Sequence, residues 1–118
     1  MSIHHFEEIK AWQKGQDLAV LIYQQFGMLK GFSFRDQICR ASVSISNNIA
    51  EGFGRMSGNK EFVRYLNIAK GSAAEVKSML YLAKRLKFLT EEQFKELLKL
   101  STEVTTIIVG FINAVDKL

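Results

Sequence analysis

The sequence predicts an all-α protein, an antiparallel up-down-up-down four-helix bundle, on three observations. Apolar residues recur at spacings of three and four in four long stretches. The 118 residues contain no proline, so long helices run unbroken. Breaks between the stretches are short, the first two of them glycine-bearing, and no run alternates with the period of a strand. Helices of about 20 to 30 residues joined this closely pack side by side in opposite directions.

The first helix is expected over residues 7–28, with Ile9, Trp12, Leu18, Ala19, Ile22, Tyr23 and Phe26 on its inner face and Lys10, Lys14 and Asp17 opposite. Trp12 lies at the centre of that stripe and reads as core rather than as a stacking platform. His4 and His5 precede the helix without the further donors a metal site needs, and read as a frayed terminus.

Gly27 and Gly31 bracket the next break, and Ser33 followed by Asp36 marks a helix start, a hydroxyl to cap free amides and a carboxylate in the first turn. This second helix runs to Gly52 or Gly54 with Ile38, Ala41, Ile45 and Ile49 inward. Beside them Arg40, Ser44, Asn48, Glu51 and Arg55 fall within about 80° of arc, a continuous polar stripe. An ordinary solvated side is the competing reading. Serine and asparagine are poor helix formers, however, and suit a place where short polar groups meet specific partners.

The run Gly52 to Gly58 is the following break, and Ser57 or Asn59 can cap a third helix reaching Lys87. Phe62, Leu66, Ala69, Ala73, Val76, Leu80 and Ala83 form its core face. Gly71 costs roughly 1 kcal/mol inside a helix, which suggests close approach by another backbone. With Ser72 and Glu75 it makes a small, polar counterpart to the stripe on helix two. On the outer side Lys70, Lys77 and Lys84 repeat every seven residues, either a ridge that tracks phosphates or a plain solvated face.

Thr90 and Gln93 form a capping-box pattern ahead of the fourth helix. Phe94, Leu97, Leu98, Ser101, Val104, Thr105, Ile108, Ile112 and Val115 continue the periodicity. Leu100, Ile107, Val109 and Phe111 lie off that stripe, so this helix is expected to be covered on more than one side. The run Ile107 to Ile112 is far shorter than the roughly 20 residues that cross a bilayer, and reads as buried.

Residues 1–118 are expected to form one domain. The net charge is +4, and residues 55–87 hold eight basic side chains against two acidic ones. That balance permits a nucleic-acid partner without demanding one. One cysteine, Cys39, excludes an intrachain disulfide, and with no signal-peptide pattern the expected location is the cytoplasm. Catalysis has little support. Histidine occurs only at His4 and His5, Cys39 has no activating neighbour in sequence, and the Glu-x-x-His pairs of a di-iron bundle are missing. No cofactor and no metal are expected.

Phe6, Ile9, Trp12, Leu18, Ile22-Tyr23, Asp36-Gln37-Ile38, Arg40-Ala41, Ser44-Ile45, Asn48-Ile49-Ala50-Glu51-Gly52, Arg55, Phe62, Tyr65-Leu66 and Ile68-Ala69-x-Gly71-Ser72-x-x-Glu75 together resemble the four-helix bundle proteins of the 23S rRNA intervening-sequence family. The resemblance spans nearly the whole chain. It implies a small bacterial bundle that assembles into a homo-oligomeric ring, a homopentamer, and a distant likeness to basic pentamers that bind nucleic acid. Carried over by position, the family's polar signature falls on Arg40, Ser44, Asn48, Glu51, Arg55, Ser72 and Glu75. With Gly71 these form the expected subunit or helix interface, Arg40 or Arg55 neutralising Glu51 and Glu75. The sequence departs from the family at Ser46, where proline is common, at Gly15, where alanine is usual, and at Cys39, where a second arginine is frequent. Two functions follow: a non-enzymatic homo-oligomer binding RNA or DNA phosphates through Lys70, Lys77 and Lys84, or a protein–protein adaptor with no nucleic-acid role.

Overall fold

Apolar periodicity resolves into four α-helices in the computed structural model, which describes residues 2–55 and 57–118. They are α1 Lys10–Phe26, α2 Phe32–Gly54, α3 Asn59–Arg85 and α4 Glu91–Asp116, with a 3-10 turn at Phe6–Glu8 ahead of them. No strand occurs among the described residues. Each helix packs on its neighbours in the chain, and α1 closes the bundle against α4. The backbones of the diagonal pairs α1–α3 and α2–α4 do not approach within 8 Å among the described residues. The result is an antiparallel four-helix bundle of 44 × 22 × 19 Å.

The core is the sum of the inward stripes. Ile38, Ala41, Ile45 and Ile49 of α2 are buried, as are Phe62, Leu66, Ala69, Ala73, Val76, Leu80 and Ala83 of α3. Burial of this kind, worth about 25 cal/mol per Å² of apolar surface, is what holds helices of such mixed propensity in place. On α1 the stripe is narrower than expected. Ile9, Leu18, Ile22 and Phe26 are buried, but Trp12 is half-buried with its ring edge-on to Phe6 at 5.2 Å, and Tyr23 is 50% exposed.

Helix starts depart from expectation at α1, α2 and α3. α1 begins at Lys10, because the Glu8 carboxylate accepts the backbone N–H of His4 at 3.0 Å and of His5 at 2.7 Å and shapes a 3-10 turn there. Those two bonds hold the Glu8 carboxyl below the ordinary glutamate range, and they tether His4 and His5 where fraying was expected. α2 starts at Phe32 after Gly31, without a side-chain cap, so Ser33 lies inside the first turn. That early start sets Phe34 between Phe26 and Phe88, at ring separations of 5.6 and 5.2 Å. α3 likewise starts at Asn59 after Gly58, and neither Ser57 nor Asn59 caps it. Met56, within the expected break, lies outside the described residues.

The α3–α4 connection is set by Lys87, whose φ of 62° is left-handed. It lets the Phe88 amide bond back to the Ala83 carbonyl at 2.9 Å, closing α3 in the manner usually left to glycine. Thr90 and Gln93 then cap α4 reciprocally, at 3.1 and 2.9 Å. Phe94, Leu97, Ser101, Val104, Ile108 and Val115 face the bundle. Within one chain the other sides of α4 are only partly covered: Ile107, Phe111 and Ile112 are half-buried and Val109 is exposed. By length and hydropathy α4 as a whole is long and apolar enough to cross a membrane, beyond what the run Ile107 to Ile112 suggested; here it forms one wall of the bundle.

Candidate functional site

The polar stripe of α2 faces α3 at mid-height. Ser44 Oγ lies 2.8 Å from Ser72 Oγ, and Asn48 Nδ2 donates to the Ser44 carbonyl at 2.8 Å and to its hydroxyl at 2.9 Å. Asn48 thus fills an acceptor position on Ser44, whose own hydrogen is free to point at Ser72. Further along the seam, Gln37 Nε2 donates to Glu75 Oε2 at 3.3 Å. Short polar side chains therefore stitch the two helices together within one chain.

Gly52 closes the far end of this seam. A Cβ there would collide with Tyr65 Cβ and come within 3.2 Å of the Phe62 ring, so only glycine permits the approach. Gly71, which the sequence singled out for that role, has nothing within 4 Å of an added Cβ and is exposed. Its cost in helix propensity is not offset by close packing inside the chain.

Within one chain, among the described residues, neither Arg40 nor Arg55 reaches a glutamate across the seam. Arg55 reaches Glu51 at 3.7 Å along the same helix, both side chains well exposed, a pair of little energetic weight. Arg40 pairs with neither Glu51 nor Glu75. Glu51 is three turns away, about 16 Å along α2, and Glu75 is taken by Gln37.

Arg40 instead forms a ridge between two grooves. One, of about 550 Å³ between α1 and α2, is lined by Tyr23, Arg35, Cys39, Arg40, Val43 and Asn47. The other, of about 570 Å³ between α2 and α3, carries Ser33, Gln37, Arg40, Ser44, Ser72 and Glu75. Cys39 is buried, and loss of hydration pushes its thiol up, so it stays protonated at neutral pH and is no activated nucleophile. Among the described residues no three of His, Cys, Asp and Glu converge as metal ligands.

The lysine row on α3 is uneven. Lys70 is exposed and Lys77 half-buried, whereas Lys84 sits 3.2 Å from Glu91 with its ammonium 4.6 Å above the Phe94 ring. Lys60, Arg64, Arg85 and Lys87 extend the basic surface. Sequence reasoning missed the α1–α2 groove. Tyr23 follows Ile22 at the edge of an apolar stripe, and spacing alone assigns it to the core.

Comparison with known proteins supplies the remaining findings. The family described as 23S rRNA-intervening sequence protein matches residues 7–110. Nothing among the curated proteins matches. A crystal structure of a protein of unknown function from the S23 ribosomal protein family of Bacteroides thetaiotaomicron superposes with a TM-score of 0.79 at 30% identity, over 86% of this chain and 97% of that one.

Proposed function

The chain belongs to the 23S rRNA-intervening sequence protein family, and on that premise we propose that it is a non-catalytic, cytoplasmic, homo-oligomeric bundle that binds RNA or DNA phosphates through the outer side of α3. The observation that carries this reading is the charge on α3. Lys60, Lys70 and Arg85 are exposed along it, while Glu61 is paired with Arg64 and Glu75 accepts from Gln37. Such a surface contacts phosphates without reading bases. Self-association, as a pentameric ring by family resemblance, multiplies the positive potential; the partly covered outer side of α4 offers apolar surface for it.

The test is a titration against structured RNA and duplex DNA at two salt concentrations. Binding is expected to fall steeply with salt, with a logarithmic slope of about 0.9 per duplex phosphate contact. Lys70→Glu/Lys77→Glu/Lys84→Glu is expected to abolish it. Lys84→Glu faces Glu91, so Lys60→Glu/Lys70→Glu/Arg85→Glu separates loss of binding from damage to the α3–α4 turn.

An adaptor role is the second reading. It is favoured by the exposed apolar side chains Phe32, Leu82 and Leu86 at the end of the bundle where α2 begins and α3 finishes. Absence of binding by the wild type at low salt would leave the adaptor role in possession.

A further inference from the structure

Of the three tyrosines, two have a ring partner within the chain, although Tyr81 is half exposed. Tyr65 is buried beneath Arg64, and Tyr81 meets the Phe94 ring edge-on at 5.2 Å. Tyr23 is half exposed, and among the described residues its ring has no aromatic partner and its hydroxyl no hydrogen bond. It lines the α1–α2 groove, where the floor is Cys39 and Val43 and the opposite wall carries Arg40 and Asn47.

The charges in this groove leave one cation uncommitted. Arg35 donates to Asp36 at 3.0 Å and lies over the Phe32 ring at 4.6 Å, so those two groups satisfy each other. Arg40 has no ion pair among the described residues. Asn47 is exposed with donor and acceptor both available to a ligand. The volume, about 550 Å³, falls in the range of small-ligand sites.

An aromatic face, a free guanidinium and an amide around an apolar floor match the parts of one nucleotide. The base stacks on Tyr23, its edge meets Asn47, and its phosphate pairs with Arg40. A duplex keeps its bases stacked on each other and has no free base face to offer. We propose that the α1–α2 groove holds an unpaired nucleotide from a single-stranded stretch of RNA or DNA, a second contact beyond the phosphate surface of α3. This rests on the nucleic-acid reading above and adds selectivity for unpaired over paired strands.

The experiment compares short oligouridylate and oligothymidylate with a duplex of equal length, by fluorescence anisotropy, on the full chain. Tyr23→Ala is expected to weaken single-strand binding about tenfold and leave duplex binding unchanged, with Tyr23→Phe retaining wild-type affinity. Arg40→Gln is expected to weaken single-strand binding and lower its salt slope by about 0.7. Tyr23 is half exposed, so both tyrosine variants keep the core intact. If the wild type binds single strands and Tyr23→Ala binds them equally, the groove is wrong while the α3 reading stands. If the wild type binds neither form, the nucleic-acid reading fails and takes this one with it. If Tyr23→Ala instead changes the mass of the assembly, a second copy of the chain covers the groove, and the nucleotide site is overturned.

Discussion

A methyl group added at Gly52 would be driven into Tyr65, 3.0 Å from Cγ of its ring, whereas one added at Gly71 would meet nothing within 4 Å. Gly52→Ala is therefore expected to destabilise the protein by about 1–3 kcal/mol through overpacking, and Gly71→Ala to stabilise it by up to about 1 kcal/mol through helix propensity. Thermal denaturation of the two variants checks this, and equal melting temperatures would refute the assignment. The sequence pointed to the wrong glycine for a physical reason. The cost of glycine in a helix is visible locally at Gly71, but the ring that fills the space opposite Gly52 belongs to another helix. The same limit hid Tyr23, whose exposure depends on how far α1 is rotated against α2.

At the scale of elements, every residue that spacing placed inward on α2 and α3 is buried, because spacing along one helix fixes which side it occupies, but Cys39, Ser42, Ser46, Tyr65 and Met79 are buried as well and widen both faces. The Thr90–Gln93 cap was legible too, since its partners lie three residues apart. Ser33 and Asn59 as caps, and the surroundings of Arg40 within one chain, were not. Their fates depend on the Phe26–Phe34–Phe88 cluster and on the distance between helix turns. The polar stripe was recognisable from Ser44 and Asn48, but its bonding through Ser72 and Gln37 needed the relative height of two helices. A double-mutant cycle measures what that bonding contributes. Ser44→Ala, Ser72→Ala and the double variant are expected to show a coupling of about 0.5–1 kcal/mol in denaturant melts. Strict additivity would mean that the hydroxyl pair is incidental.

At the scale of the whole molecule, every packed pair of helices is consecutive in the chain except α1 with α4, where Lys14 reaches Glu103 at 3.4 Å. The α2–α3 contact is the most extensive and the α1–α4 contact the slightest of the four. This imposes an order in time. Joining neighbours closes short loops, whereas bringing α1 to α4 closes a loop of nearly the whole chain, at a larger entropic cost. The α2–α3 hairpin is the expected nucleus, and α1 docks last. Gly52→Ala should then slow refolding, while Leu18→Ala in α1 should mainly hasten unfolding; stopped-flow chevrons decide, and the reverse partition would overturn the order. Until α1 docks, its apolar side, formed by Leu18, Ile22 and Phe26, stays uncovered together with the faces of α2 and α4 that it packs against. The moment of greatest vulnerability to aggregation therefore lies late in folding, in a species that already holds most of its native helices.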